Sequence, residues 1–241
     1  FPSGSLLIMS HVLTSNGFIL PILKIAEYLK NKDVINVVDG AHAIGAFSID
    51  FSTFRNIHFY GGNLHKWMMG LAGIGFGWIN PNQDLKIDSL MIGWPNYDNA
   101  AHLDDFNLQG TARKFYLKGT IDFSSFMTIS TLVKWWKEQT QAAIYQKRSQ
   151  LRNILAKGLE KSAHLKINTT QIETSPLLTY KMSQKYSDKG HQIATELYDK
   201  HNLTVATPKL GSQTVLRLSP NVYNTEKEME ETVEILNLYL I

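Results

Sequence analysis

Short apolar runs that stop at polar residues punctuate the first third of the chain. Leu6-Leu7-Ile8-Met9 ends in Ser10-His11, and Val34-Ile35-Asn36-Val37-Val38 ends in Asp39-Gly40. Ile57-His58-Phe59-Tyr60 ends in Gly61-Gly62-Asn63, and Ile74-Gly75-Phe76-Gly77-Trp78-Ile79 is closed by Asn80-Pro81. Runs of this length, rich in β-branched and aromatic residues and bounded by turn formers, predict buried strands. Between the first two, Pro21 opens a helix whose apolar positions Ile22, Ile25, Ala26 and Leu29 follow helical spacing. Strand, helix, strand, with polar residues at the strand ends, predicts an α/β sheet buried on both faces. Ligands of such sheets sit beyond the carboxyl ends of the strands, where these polar residues lie.

The pattern changes after residue 123. Ser124 to about Lys161 reads as one long helical stretch with Trp135 and Trp136 in its middle, a pair that predicts core or interface packing. The tail then alternates. Leu177–Tyr180, Leu203–Val205 and Thr214–Leu218 predict strands, while Ser187–His201 and Thr225–Leu240 predict helices. Thr225 with Glu228 three residues on is a capping-box start. The expected organisation is a large-domain portion over 1–123, then a connecting helix and a small α+β domain over 124–241. Neither an internal repeat nor a low-complexity linker interrupts it.

Composition narrows the chemistry. A net charge of +3 from 24 basic and 21 acidic side chains, with the basic ones scattered, gives no nucleic-acid footprint. The absence of cysteine excludes disulfides, thiolate metal sites and a protein thiol nucleophile, and fits a reducing, cytoplasmic setting. A metal site is not expected. No apolar stretch is long enough to predict a membrane span. Phe1-Pro2-Ser3-Gly4-Ser5 has neither initiator Met nor basic n-region, so it does not read as a signal peptide. It looks like the middle of a longer protein.

Taken singly, the polar residues at the strand ends are ordinary. Asp39 caps a turn through Gly40, His42 and His65 are loop histidines, and Lys66 is a solvated charge. Together they say more. Lys66 is flanked by Trp67, Met68 and Met69, then by Gly70, Ala72 and Gly73. A lysine amid apolar residues is desolvated, which favours the neutral amine that attacks an aldehyde. With one strand between them, Asp39 and Lys66 can share a crevice at neighbouring strand ends.

Asp39-Gly40-Ala41-His42-Ala43-Ile44-Gly45, then Asp50-Phe51, then Phe59-Tyr60-Gly61-Gly62-Asn63-Leu64-His65-Lys66-Trp67 resembles the class V aminotransferase family of fold-type I pyridoxal-phosphate enzymes. Within that family the likeness is to isopenicillin N epimerase-like proteins. Ser10-His11-Val12 with Thr14, Gly17 and Pro21-Ile22 resembles the family's preceding block. Gly119-Thr120-Ile121-Asp122, Leu216-Arg217-Leu218-Ser219 and Tyr223-Asn224-Thr225 resemble its later ones, in family order. The lysine-centred block is the specific one.

The resemblance implies pyridoxal 5'-phosphate held by Lys66 as a Schiff base, with Asp39 on the ring nitrogen and His42 near the ring or its phenolic oxygen. It implies Asn63 and His65 as phosphate donors, Thr14 near cofactor or substrate, and Thr120 reaching a phosphate across a homodimer. Arg217 would fork onto the α-carboxylate of an amino-acid substrate, which a lysine cannot do. Epimerase, aminotransferase and β-lyase outcomes stay open, because each starts at the same Cα. The family's long segment before the equivalent of Ser10, with its phosphate-binding helix start, has no counterpart here, so a fragment of a longer protein is expected. Two other readings stay open: a non-catalytic remnant or interaction protein, and a phosphate-ligand module without Schiff-base chemistry.

Overall fold

A computed structural model describes residues 2–83 and 120–240. Two four-stranded sheets organise them.

The first sheet contains β1 (Ser5–Ser10), β2 (Val34–Asp39), β3 (Phe59–Asn63) and β4 (Gly75–Ile79), side by side in that order. Its first three strands are parallel, and β4 returns antiparallel to β3. Helix α1 (Ile22–Leu29) makes the crossover from β1 to β2, burying Ile22, Ala26 and Leu29 as its spacing predicts. Side chains alternate across the strands. Val34 and Val38 are both buried, and Val38 faces a core made with Met9, Ile44, Phe54, Ile57 and Tyr60. Asn36 shares that buried row and donates its Nδ2–H to the Asn56 carbonyl at 2.8 Å.

The expectation of a sheet buried on both faces holds for one face only among the described residues. On the other, Leu6 is 58% and Ile8 66% exposed at the edge strand.

The predicted long helix is divided into α2 (Ile129–Gln139) and α3 (Gln141–Gly158). The break is at Thr140, whose φ of 58° and ψ of 135° stop one helix while its hydroxyl accepts from Ala143 N–H to start the next.

The second sheet is antiparallel throughout and comprises β5 (Leu165–Ile167), β6 (Leu178–Met182), β7 (Lys209–Leu210) and β8 (Gln213–Leu218), with β8 between β6 and β7. Helix α3 packs around it with α4 (Gly190–His201) and α5 (Glu226–Tyr239). Leu151, Leu155, Tyr180, Leu197, Leu216 and Leu236 form its core. The capping box appears as read: Thr225 accepts from the Glu228 N–H, and Glu228 accepts from the Thr225 N–H.

Leu203–Val205, predicted as a strand, is not one. Its apolar side chains pack onto the core from outside the ladder, and only Ala206 bridges to Arg217. The loop that follows β1 is joined to the segment between β5 and β6, where Ser175 donates to the Gly17 carbonyl at 2.7 Å and Gln171 accepts from Ile19 N–H at 2.6 Å. Among the described residues no helix is long and apolar enough to cross a membrane.

Candidate active site

Asp39 is the last residue of β2, paired with Ser10 on one side and Gly61 on the other. It is exposed, and its Oδ1 accepts from Ala41 N–H at 2.8 Å. The turn-capping role it has by composition is therefore real, and one carboxylate oxygen stays free of it. The turn carries the chain through His42 to Gly45, where a φ of +76° favours glycine and a Cβ would stand 2.7 Å from Met68 N. That close approach brings the His42 turn against the loop that follows β3.

The loop holds Lys66. Gly70 N–H donates to Leu64 O at 2.7 Å and Met69 N–H to Lys66 O at 3.0 Å, with Met69 left-handed at φ 62°. Lys66 is half-buried there, and its Nζ lies 3.2 Å from His42 Nε2. Burial lowers the ammonium's pKa, Asp39 opposes that shift and Arg217 adds to it. The same burial, with Lys66 and Arg217 nearby, pushes His42 down to about 4. At neutral pH the imidazole is thus neutral, and in the tautomer protonated at Nδ1 its Nε2 accepts from the lysine.

Arg217 reaches this group from β8 of the second sheet. Its guanidinium donates to the Thr14 carbonyl at 3.2 Å, and burial lowers its pKa. The structure therefore assembles Asp39, His42, Lys66 and Arg217 from three separated stretches of chain. Asn63 ends β3 just before the lysine. His65 and the Thr14 side chain are exposed beside them. Thr120 is exposed as well, and no hydrogen bond ties it to Lys66 among the described residues. Farther along its segment, Ser125 donates to Ala72 O at 3.0 Å, just past the lysine loop. Gly119 lies outside the described residues.

Three buried polar atoms in this group have no hydrogen-bond partner among the described residues: His42 Nδ1, Asn63 Oδ1 and Arg217 Nε. Buried polar atoms are almost always paired, so these three are available to a polar ligand. A desolvated amine for an aldehyde, a carboxylate with a free oxygen for a pyridinium, and an unpaired guanidinium edge for a carboxylate suit pyridoxal phosphate and an amino acid.

Residues 2–232 match the family model of class-V aminotransferases. The chain belongs to that family. Isopenicillin N epimerase of Streptomyces clavuligerus is 25% identical to it over 246 residues, covering 98% of this chain and 60% of the relative. The epimerase of Amycolatopsis lactamdurans is 26% identical over 244 residues, with the same coverage of 98% and 60%. Among solved structures, the cystine C-S lyase C-DES in complex with cysteine persulfide matches with a TM-score of 0.80 at 23% identity, over 97% of this chain and 61% of that one. A mutant of the same lyase holds glycine covalently linked to its PLP cofactor. The fold is that of fold-type I enzymes, and pyridoxal phosphate is the cofactor of the class-V family. The chain spans about 60% of the length of the curated relatives it matches.

Two groups escaped the sequence reading. Arg148, deeply buried, donates to the carbonyl of Trp67, next to the lysine, and His11 bonds Tyr60 beneath the strand ends. Arg148 had a signal. It stands on the apolar stripe Ile144, Leu151, Leu155 of α3, where a cation is out of place. His11 had none, because nothing local marks a histidine whose partner is on another strand.

Proposed function

We propose that this chain is the cofactor-lysine part of a pyridoxal-phosphate enzyme acting at Cα of an amino acid, in an epimerase, aminotransferase or β-lyase reaction. The observation that carries the reading is Lys66, half-buried and 3.2 Å from a neutral His42, beside buried polar atoms that lack partners among the described residues. Bound there, pyridoxal phosphate supplies an aldehyde for amines and a ring that draws electron density from the bonds at Cα.

The chain's own residues supply the rest. Desolvation keeps a larger share of Lys66 as free amine, able to condense with an aldehyde or to take a proton from Cα. His42, accepting from Lys66, holds that amine in place. The free oxygen of Asp39 is the group to stabilise a protonated ring nitrogen. Asn63 and His65 are the candidates for the phosphate, with Thr120 of a second subunit in a homodimer. The unpaired Nε edge of Arg217 would fork onto the substrate carboxylate. Residues 1–123 then carry the cofactor side, and 124–241 bring Arg217 to it.

The test is direct. Purified protein mixed with pyridoxal phosphate should turn yellow, borohydride should fix an adduct on the peptide bearing Lys66, and Lys66→Ala should lose both. An amino-acid screen read by keto acid, sulfide and chirality would then name the reaction. Absence of the adduct, even with the amino-proximal segment of a class-V relative co-expressed, would overturn the proposal.

A further inference from the structure

Arg148 is a buried cation whose hydrogen-bond partners among the described residues are all neutral. At 1% exposure it is the largest fully buried side chain among those residues. Its Nε–H donates to Asn221 Oδ1 at 2.7 Å, one terminal nitrogen donates to Gly45 O, and the other donates to Trp67 O at 2.6 Å. The Trp67 and Trp136 rings lie 5.3 and 5.7 Å from its central carbon. Burial lowers its pKa to about 10, so it remains charged at neutral pH.

The acceptors lie on three separate stretches of chain. Gly45 ends the turn that carries His42, and Trp67 follows Lys66 directly. Asn221 opens the turn after β8, with Leu218, Ser219 and Pro220 between it and Arg217. Asn221 is itself buried and held, its N–H donating to Asn224 Oδ1 at 3.0 Å.

We propose that Arg148 is a positioning residue that sets Lys66 and His42 against Arg217 by tying their three chain segments to one planar fork. The inference rests on the reading of Lys66 as the cofactor lysine. A carboxylate in place of these acceptors would satisfy the guanidinium on one segment, whereas three neutral acceptors spread it over all three. Lysine cannot replace it, because an ammonium has no rigid fork to span three separate acceptors. If one segment moves, the other two are left with a buried, poorly paired cation, so the segments move together or not at all.

The test uses the full chain without added cofactor, in wild type, Arg148→Met, Arg148→Lys and Asn221→Leu forms. The pH dependence of Lys66 acetylation by acetic anhydride, read by peptide mass spectrometry, reports the amine's surroundings. Hydrogen exchange reports residues 41–47, 64–70 and 219–225 against strand β6. In Arg148→Met, Lys66 should titrate closer to the ordinary lysine value, and the three segments should lose protection roughly tenfold more than β6 does. Arg148→Lys should fail to restore either. Should Arg148→Met not fold, Asn221→Leu carries the test, with the same two changes in the same direction. An unchanged Lys66 titration, an equal loss of protection in β6, or full rescue by Arg148→Lys would overturn the proposal. Absence of a borohydride-fixed adduct in wild type, even with the amino-proximal segment of a class-V relative co-expressed, would remove the cofactor reading, while titration and exchange would still decide the role of Arg148.

Discussion

His11 and Tyr60 lie beneath the strand ends, joined by a 2.8 Å hydrogen bond between Nδ1 and the phenol. Burial lowers His11 from 6.5 to about 4 and raises Tyr60, so both are neutral in the folded protein at neutral pH. The sign of the linkage follows. Below pH 6.5 the unfolded chain takes up a proton that folded His11 refuses, so stability falls as pH drops and levels off below about 4. The full effect is at most roughly 3 kcal/mol. His11→Gln should flatten the dependence of the unfolding midpoint on pH across that window, although loss of the bond to Tyr60 should lower the midpoint at pH 7. Gly45 is a second residue-scale test. Ala at its positive φ, with Cβ 2.7 Å from Met68 N, should cost more than about 2 kcal/mol by denaturant unfolding.

Among the elements, the helix starts carry the clearest expectations. Thr225 caps α5 reciprocally with Glu228, and Thr225→Ala should lower stability by about 1 kcal/mol in denaturant titration. Thr140 is a different kind of start. It occupies a backbone region that side chains rarely adopt, yet its hydroxyl caps α3 only through a 3.4 Å contact. Thr140→Gly should therefore raise the thermal midpoint, because relief of about 1 kcal/mol or more of backbone strain outweighs a weak cap. Periodicity made β1 to β4, β6, β8, α1 and α5 readable, whereas β5 and β7, three and two residues long, are too short to carry a pattern. It could not show the break at Thr140, because helical spacing continues on both sides of it. It overstated Leu203–Val205, because apolar residues can reach a core without joining a ladder.

At the scale of the whole molecule, the face of the first sheet left uncovered among the described residues stands out. Leu6 and Ile8 are exposed on its edge strand, and exposed apolar edges favour association. Ile8→Lys should reduce binding of an apolar-surface dye while leaving the thermal midpoint nearly unchanged, since a side chain this exposed has little packing to lose. A large drop in midpoint would show that the residue is packed after all.

The candidate site divides along the same line. Strand-end Asp39, the desolvated setting of Lys66 and the Thr225 cap follow from residues close together in the chain, where local spacing and composition are enough. The 3.2 Å contact of Lys66 with His42 depends on Gly45 letting two loops meet. The approach of Arg217 depends on a second sheet, and the charge state of His11 on a partner 49 residues away. Sequence alone thus named candidate side chains of suitable chemistry, because residue type and local spacing are written in it. Tertiary structure decided which of them meet, and how dry they are when they do, because burial and long-range contact are properties of the packed chain.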